Sequence, residues 1–314
     1  MSNRFKRKEF ASNTLDIIRN GFYSISADVR TEECSFISIK DSVLKCDDNT
    51  KILDMNDWKI LFEKYKDPLQ LVGPDTNYEV TAEMSISCCQ RLNREGYKNI
   101  ACLNFASAKN PCGGMFKGSI AQEESLGLCS ALYSSLTKQE EHYESNRKDP
   151  KNGLYQDSLI YSPACPVFRN DITYNLLPSP FNVSFISCPA VNLSIAKAPN
   201  TVVKETMKRR AKAILSIAAD EGCDAIVLGA WGTGVFQNDI KDVAEYFKDC
   251  LITDSEQSSA IKDVDSCVDL FHKSSIQKVV FAVGPDVKKQ EIFKTTLNLK
   301  WYVINIIDPL GIHF

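Results

Sequence analysis

The chain has 314 residues, of which 44% are hydrophobic, 25% charged and 10% aromatic, and this composition excludes disordered, collagen-like and low-complexity classes. The 37 basic and 40 acidic side chains leave a formal charge of -3, so the bulk positive field of a general nucleic-acid binder is missing. No apolar run approaches the roughly 18 residues of a spanning helix. Residues 1–9 are basic with no apolar stretch behind them, so no secretion signal is expected.

In chain order, short β-rich runs at 35–39, 100–105, 158–162, 183–188, 225–228, 278–283 and 301–306 predict strands. Helices are expected between them, over 81–95 and 119–136. Met207, Ala211, Ile214, Leu215 and Ala218 share one helical face, and Ile240, Val243, Ala244, Phe247 and Leu251 repeat the pattern. The basic cluster at 204–212 reads as the solvated side of the first of these helices. Segments 143–153 and 253–262 are polar and loop-like. Alternation of strands and helices predicts an α/β layered fold, and neither loop is long enough to divide the chain. One domain over 1–314 is therefore expected, with an N-terminal extension over roughly residues 1–80.

The 12 cysteines include no C-x2-C pair, and His142, His272 and His313 share no ligand spacing with them. No metal or other cofactor is expected. Cys102 and Cys188 sit in apolar strands, where a thiol acts as a small hydrophobe. The expectation is an intracellular, soluble monomer in a reducing compartment, the cytoplasm with the nucleus left open.

Two loops carry the chemistry. The first leaves the run at 100–105, passes Pro111, Cys112, Gly113, Gly114 and Gly118, and enters a helix. Such a loop either offers backbone N–H groups to an anion or is a plain turn. Ser119 and Gln122 fit a capping box, and Glu123 suits a helix start. Glu124 has Ile120, Ala121, Gly127 and Leu128 as helical neighbours, so its carboxylate is expected to face the core. Burial and the adjacent Glu123 act to raise its pKa while the helix dipole opposes them, and a partly protonated, inward-facing carboxyl is what a general acid requires.

The second loop follows the run at 225–228 and holds Trp231, Gly232, Thr233, Gly234, Val235 and Phe236. Asn238 is a candidate N-cap for the helix that follows. Gly232 and Gly234 would let backbone amides approach a diphosphate at that helix start. The third glycine of a dinucleotide fingerprint is missing, as is a suitably spaced acidic residue at a strand end. Trp231 and Phe236 either stack on a base or ribose or pack the core. No histidine neighbours Cys112 to activate it, and neither a G-x-S-x-G elbow nor a P-loop occurs.

At these two loops the chain resembles the microbial-type poly(ADP-ribose) glycohydrolases, a branch of the macrodomain fold. The family signature is three glycines, a spacer and Gln-Glu-Glu; here it reads Cys112-Gly113-Gly114, then Gln122-Glu123-Glu124. The resemblance extends through Thr14-Leu15, the approach from Asn104 to Pro111, and the segment from His142 to Arg147. It continues through Ile160 to Pro163, Pro166 to Arg169, Cys188 to Asn192 and Leu228 to Phe236.

The resemblance implies a three-layer macrodomain-like fold, a mixed sheet with helices on both faces and an N-terminal helical extension. It implies a glycosidase that cuts ribose–ribose O-glycosidic bonds in poly(ADP-ribose) and releases ADP-ribose, acting on the polymer or on ADP-ribosylated protein. Glu124 would be the catalytic acid and Glu123 would orient ribose hydroxyls. Asn104 would sit near the distal ribose, beside Gly113, Gly114 and Gln122. Gly232, Thr233, Gly234 and Val235 would wrap the diphosphate, with Phe236 against the ribose or adenine. Cys112 departs from the first signature glycine and Thr233 from an expected cysteine. A Cβ at position 112 could obstruct a positive φ or narrow the approach to the scissile bond. A catalytically silent ADP-ribose binder and a hydrolase of mono-ADP-ribosylated substrates are the alternatives.

Overall fold

A computed structural model describes residues 3–26, 34–149, 153–251 and 275–298. The chain opens with helix α1 (Asn3–Asn20), a hairpin of β1 (Phe22–Ser26) and β2 (Cys34–Ser38), and α2 (Lys40–Asn49). There follow β3 (Lys51–Leu53), α3 (Met55–Lys64), α4 (Pro68–Leu71), β4 (Val72–Thr81), α5 (Ser85–Glu95) and β5 (Ile100–Phe105). After a 3-10 turn at Met115–Lys117 come α6 (Gln122–Cys129), α7 (Leu132–Thr137), α8 (Glu140–Lys148), β6 (Leu159–Arg169) and β7 (Leu176–Cys188). The order closes with α9 (Asn200–Asp220), β8 (Ala225–Leu228), α10 (Ile240–Leu251), β9 (Ile276–Ala282) and α11 (Val287–Leu297).

Seven strands form one mixed sheet in the order β3-β6-β7-β5-β8-β9-β4. β7, β5, β8, β9 and β4 run parallel to one another, while β6 is antiparallel to both β3 and β7. The pleat divides the core. Ala101 and Leu103 of β5, with Ile226 and Leu228 of β8, face a layer built from α3, α9, α10 and α11. Ile100 and Cys102, with Ala225 and Val227, face α1, α2 and α5–α8. Strands covered on both faces need near-continuous apolar sequence, which is why β5 and β8 were legible as runs. This is the three-layer α/β architecture with a mixed central sheet.

Several elements differ from the sequence expectation. The helix expected over 119–136 is two helices, because Ser130 leaves the helical path to bridge Val167 and the N–H of Ala131 donates to the carbonyl of Pro166. The helix expected from 81 begins at Ser85, and Thr81 closes β4 instead. That strand contains Gly73 and Pro74 and no clear period, which an edge position tolerates. The N-terminal segment carries the expected helices and also supplies both edge strands, β3 and β4. The expected strand at 301–306 and loop at 253–262 lie outside the described residues.

The cluster at 204–212 is not wholly solvated. Arg210 is fully buried. It donates to Asp157 Oδ1 and to the carbonyls of Leu154, Tyr155, Gln156 and Pro189. Arg209 takes the other oxygen of Asp157. One side chain thus ties α9 to the segment before β6 and to the exit of β7. Arg210→Met should lower unfolding free energy by about 3–5 kcal/mol, since it strands these acceptors in the interior. Urea unfolding followed by circular dichroism measures it.

Candidate active site

β5 and β8 are adjacent and parallel, so the loops leaving their carboxyl ends emerge side by side. The end of β9, Ala282 to Gly284, adjoins them. Together they surround a cavity of about 600 Å³. Gly113, Gly114, Gln122, Glu123 and Glu124 line one wall; Gly232, Thr233, Gly234, Val235 and Phe236 line the other. The fold thus brings every sequence-predicted site residue except Asn104 to one cavity.

The first loop cradles anions, and they belong to the protein. Glu123 Oε2 accepts from the N–H of Ser107 at 2.8 Å, and Glu124 Oε1 accepts from the N–H of Gly114 at 2.8 Å. Glu124 Oε2 accepts from the N–H of Ala121 at 2.9 Å, so the N-cap of α6 is Ala121 and the capping carboxylate is Glu124. This replaces the expected Ser119–Gln122 box. Gln122 instead bridges the strand, accepting from the N–H of Phe105 and donating to the carbonyl of Leu103 and to Ser85 Oγ.

Glu124 is buried as expected, but for a different reason. Ile120 and Ala121 precede the helix and are exposed, whereas α6 is buried on all sides from Glu123 to Cys129. Both carboxylates therefore leave water together, with no cation paired to either among the described residues. Burial, reinforced by the Glu124 charge, pushes the Glu123 carboxyl well above the usual carboxylate range, against the hydrogen bonds from Ser107 and Asn104.

Glycine is required at the loop by close approach. A Cβ on Gly113, whose φ is +54°, would lie 2.6 Å from Glu124 Oε1 and 3.0 Å from Glu123 Oε2. Cys112 holds a positive φ of 51°, which is the strain the sequence suggested for a non-glycine residue there. It does not narrow the cavity. Its side chain is fully buried and points at α6, where a Cβ on Gly127 would meet Cys112 Sγ at 2.7 Å. The thiol is inert, with its pKa raised by burial. Asn104 lies behind the cavity wall. Its Nδ2 donates to Ser187 Oγ at 2.9 Å and, more weakly, to Glu123 Oε1 at 3.4 Å, so it positions Glu123 from the interior.

The second loop is anchored from behind. Trp231 is fully buried, packs on Phe247 and donates from Nε1 to the carbonyl of Cys188. Its role is packing. Asn238 does not cap α10; its Nδ2 holds the carbonyls of Val191 and Gly232. The cap is Asp239, whose Oδ1 accepts from the N–H groups of Lys241 and Asp242. The start of α10 is therefore already satisfied and does not supply the expected phosphate site. The loop itself leaves donors open: among the described residues the N–H groups of Gly232, Gly234, Val235 and Phe236 donate to no protein acceptor. Thr233 ties its hydroxyl to the carbonyl of Ala230. Phe236 lines the cavity and packs against Tyr155.

Sequence reasoning missed Glu83, Met84, Ser85, Ser107, Lys117 and Lys289, which also line the cavity. The first three and Lys289 are far in sequence from both loops, and only strand order gathers them. The contact of Cys112 with Gly127 yields a coupled prediction. Gly127→Ala should destabilise the fold by about 1–3 kcal/mol through overpacking against Cys112 Sγ and Met115 Sδ, and Cys112→Gly in the same chain should restore the part of that loss that comes from the thiol. A double-mutant cycle of unfolding free energies measures the coupling.

Comparison with known proteins places this geometry. The sequence profile described as "Microbial-type PARG, catalytic domain" matches residues 11–170. The structure is similar to that of poly(ADP-ribose) glycohydrolase from Thermomonospora curvata, at 31% identity and a TM-score of 0.78, covering 93% of this chain and 99% of that one. A second structure of that enzyme, bound to the inhibitor ADP-HPD, matches with a TM-score of 0.76. The enzyme from Deinococcus radiodurans in complex with ADP-ribose matches at 34% identity and a TM-score of 0.67, covering 82% of this chain and 96% of that one. No curated protein matches by sequence. With half of its length matched by the family profile and its fold shared almost end to end, the chain belongs to the microbial-type poly(ADP-ribose) glycohydrolase family.

Proposed function

We propose that this protein hydrolyses ribose–ribose O-glycosidic bonds of poly(ADP-ribose) and releases ADP-ribose. The observation that carries the reading is the pair of buried carboxylates, Glu123 and Glu124, held by backbone N–H groups at one wall of a cavity whose other wall presents free amides. The amides of Gly232, Gly234, Val235 and Phe236 supply donors for a diphosphate, which would run along that wall. Phe236 offers a ring face to the adjoining sugar or base. The distal ribose then reaches the carboxylate wall.

Glu124 donates a proton to the leaving ribose oxygen as the glycosidic bond breaks through an oxocarbenium-like state. It takes a proton from the attacking water, whose oxygen bonds to the anomeric carbon. One water is consumed and Glu124 ends protonated as it began. Glu123 hydrogen-bonds the ribose hydroxyls and holds the sugar in place. Ordinary glycosidases place two carboxylates on opposite sides of the bond. Neighbouring residues on one helical turn cannot do so, which favours a single acid/base. Because Cys112 turns away from the cavity, its presence gives no ground for preferring a silent binder.

The same reading takes residues 1–314 as a single catalytic domain that acts as a monomer. Cys46, Cys88, Cys89, Cys102, Cys112, Cys129, Cys165, Cys188 and Cys223 are free and buried, and Cys250 is free and partly buried, which fits a reducing intracellular compartment such as the cytoplasm. No described helix is long and apolar enough to cross a membrane. Glu124→Gln should reduce ADP-ribose release from poly(ADP-ribose) by about 10²–10⁴-fold while ADP-ribose binding persists. Product release followed by chromatography, with calorimetric binding of ADP-ribose, tests this; equal turnover by the variant would remove Glu124 from the mechanism.

A further inference from the structure

The inner face of α1 follows positions 4, 7, 8, 11 and 14 at helical spacing. Ala11 and Thr14 are buried in the core, and Thr14 Oγ1 donates to the carbonyl of Leu128 at the end of α6. Toward its N-terminus the same face passes beyond the core and lies over the end of the catalytic loop. There it carries Arg4, Arg7 and Lys8. Arg4 Nε donates to the carbonyl of Lys117 and Arg7 Nε to that of Gly118, each at 2.9 Å. Gly118 has a φ of +74°, and a Cβ there would meet the Arg4 carbonyl oxygen at 2.6 Å and Lys8 Cγ at 3.3 Å.

This contact is one hydrogen bond from the carboxylate wall. The N–H of Lys117 donates to the carbonyl of Gly114 at 2.8 Å, and the N–H of Gly114 holds Glu124. Lys117 is exposed and lines the cavity mouth. Arg4 and Lys8 are exposed and Arg7 half-buried. Among the described residues none of the four forms an ion pair, and the arginines use only Nε, which leaves their terminal nitrogens open. Glu9 lies off this face. A chain with an overall charge of -3 thus gathers four cations, none ion-paired among the described residues, around the 117–118 turn, which is hydrogen-bonded to Gly114, the residue whose N–H holds Glu124.

We propose that Arg4, Arg7, Lys8 and Lys117 form a binding surface for the diphosphates of the polymer on the leaving side of the scissile bond. The inference rests on the polymer substrate proposed above. A ribose oxygen that departs past Glu124 is attached to the rest of a polyanion, which must emerge at this lip. Every repeat of that polyanion carries a diphosphate, and the lip offers the complementary charge. A monomeric ADP-ribose fills only the cavity and has no diphosphate on that side. The surface therefore acts on polymer affinity and not on recognition of the released unit.

The test titrates poly(ADP-ribose) and ADP-ribose against Glu124→Gln protein and against the same protein carrying Lys8→Glu and Lys117→Glu. Arg4 and Arg7 are left intact because they also hold the loop. The ratio of polymer to monomer affinity should fall about tenfold, and the salt dependence of polymer binding should become shallower by roughly 0.7 in log–log slope for each cation lost. Lys8→Gln with Lys117→Gln should move both quantities in the same direction, which guards against a misfolded charge reversal. An unchanged ratio and slope, or a ratio already near one in the Glu124→Gln parent, would overturn the inference. Separately, absence of ADP-ribose release by the wild type would overturn the proposed activity, while the affinity ratio would still decide the surface.

Discussion

Two carboxylates on consecutive residues of one helix cannot be buried together without compensation, and here no cation among the described residues supplies it. Backbone N–H groups do. Ser107 and Gly114, both on the loop after β5, and Ala121 at the helix start each donate to one oxygen of the pair. The rest of the site follows from keeping those donors in place. The loop must approach the carboxylates more closely than a Cβ permits, which fixes glycine at position 113. The strand must stop at Phe105, where Gln122 takes its N–H, and the helix must start at Gln122, so that Glu124 reaches back to Ala121. A charge-assisted hydrogen bond is worth about 1.5–3 kcal/mol, so losing one of these donors costs a substantial share of a domain's stability.

The second loop solves the opposite problem. Among the described residues the amides of Gly232, Gly234, Val235 and Phe236 are unspent, and its restraints come from side chains and carbonyls behind it: Trp231 to Cys188, and Asn238 to Val191 and Gly232. The segment at 188–192 that receives them is itself tied through Pro189 to buried Arg210. A rigid backing with open donors costs no reorganisation when an anion arrives, which is the usual origin of strong electrostatic recognition. The two walls thus differ, one loop satisfied by the protein's own carboxylates and the other with open backbone donors.

Much of this was legible in the sequence. β5 and β8 showed as apolar runs because both faces are covered, and the two glycine loops after them identified the cavity walls. The paired glutamates were visible as an unusual doublet. What the sequence concealed depends on tertiary partners. Ser130 interrupts a helical pattern only because Val167 lies across from it. Arg210 looks like one more surface cation until Asp157 and four carbonyls are folded around it. Asn238 has the composition of an N-cap and is diverted by Val191, while Asp239 takes the cap. Cys112 looked like an obstruction to the site, and the missing information was Gly127, fifteen positions away, which makes room for its thiol. The basic start of α1 has no meaning in sequence until it is laid across Gly118.

The central claim is that the loop backbone at Gly113 and Gly114 holds the Glu123–Glu124 pair in its working geometry. Gly113→Ala tests it most directly, read as the rate of ADP-ribose release from poly(ADP-ribose) on protein shown by circular dichroism to be folded. A methyl group 2.6 Å from Glu124 Oε1 must displace that carboxylate or the loop. The expected result is a loss of at least about 10²-fold in release, the scale on which catalysis responds to misplacement by an ångström. Turnover within a few-fold of wild type would contradict the account.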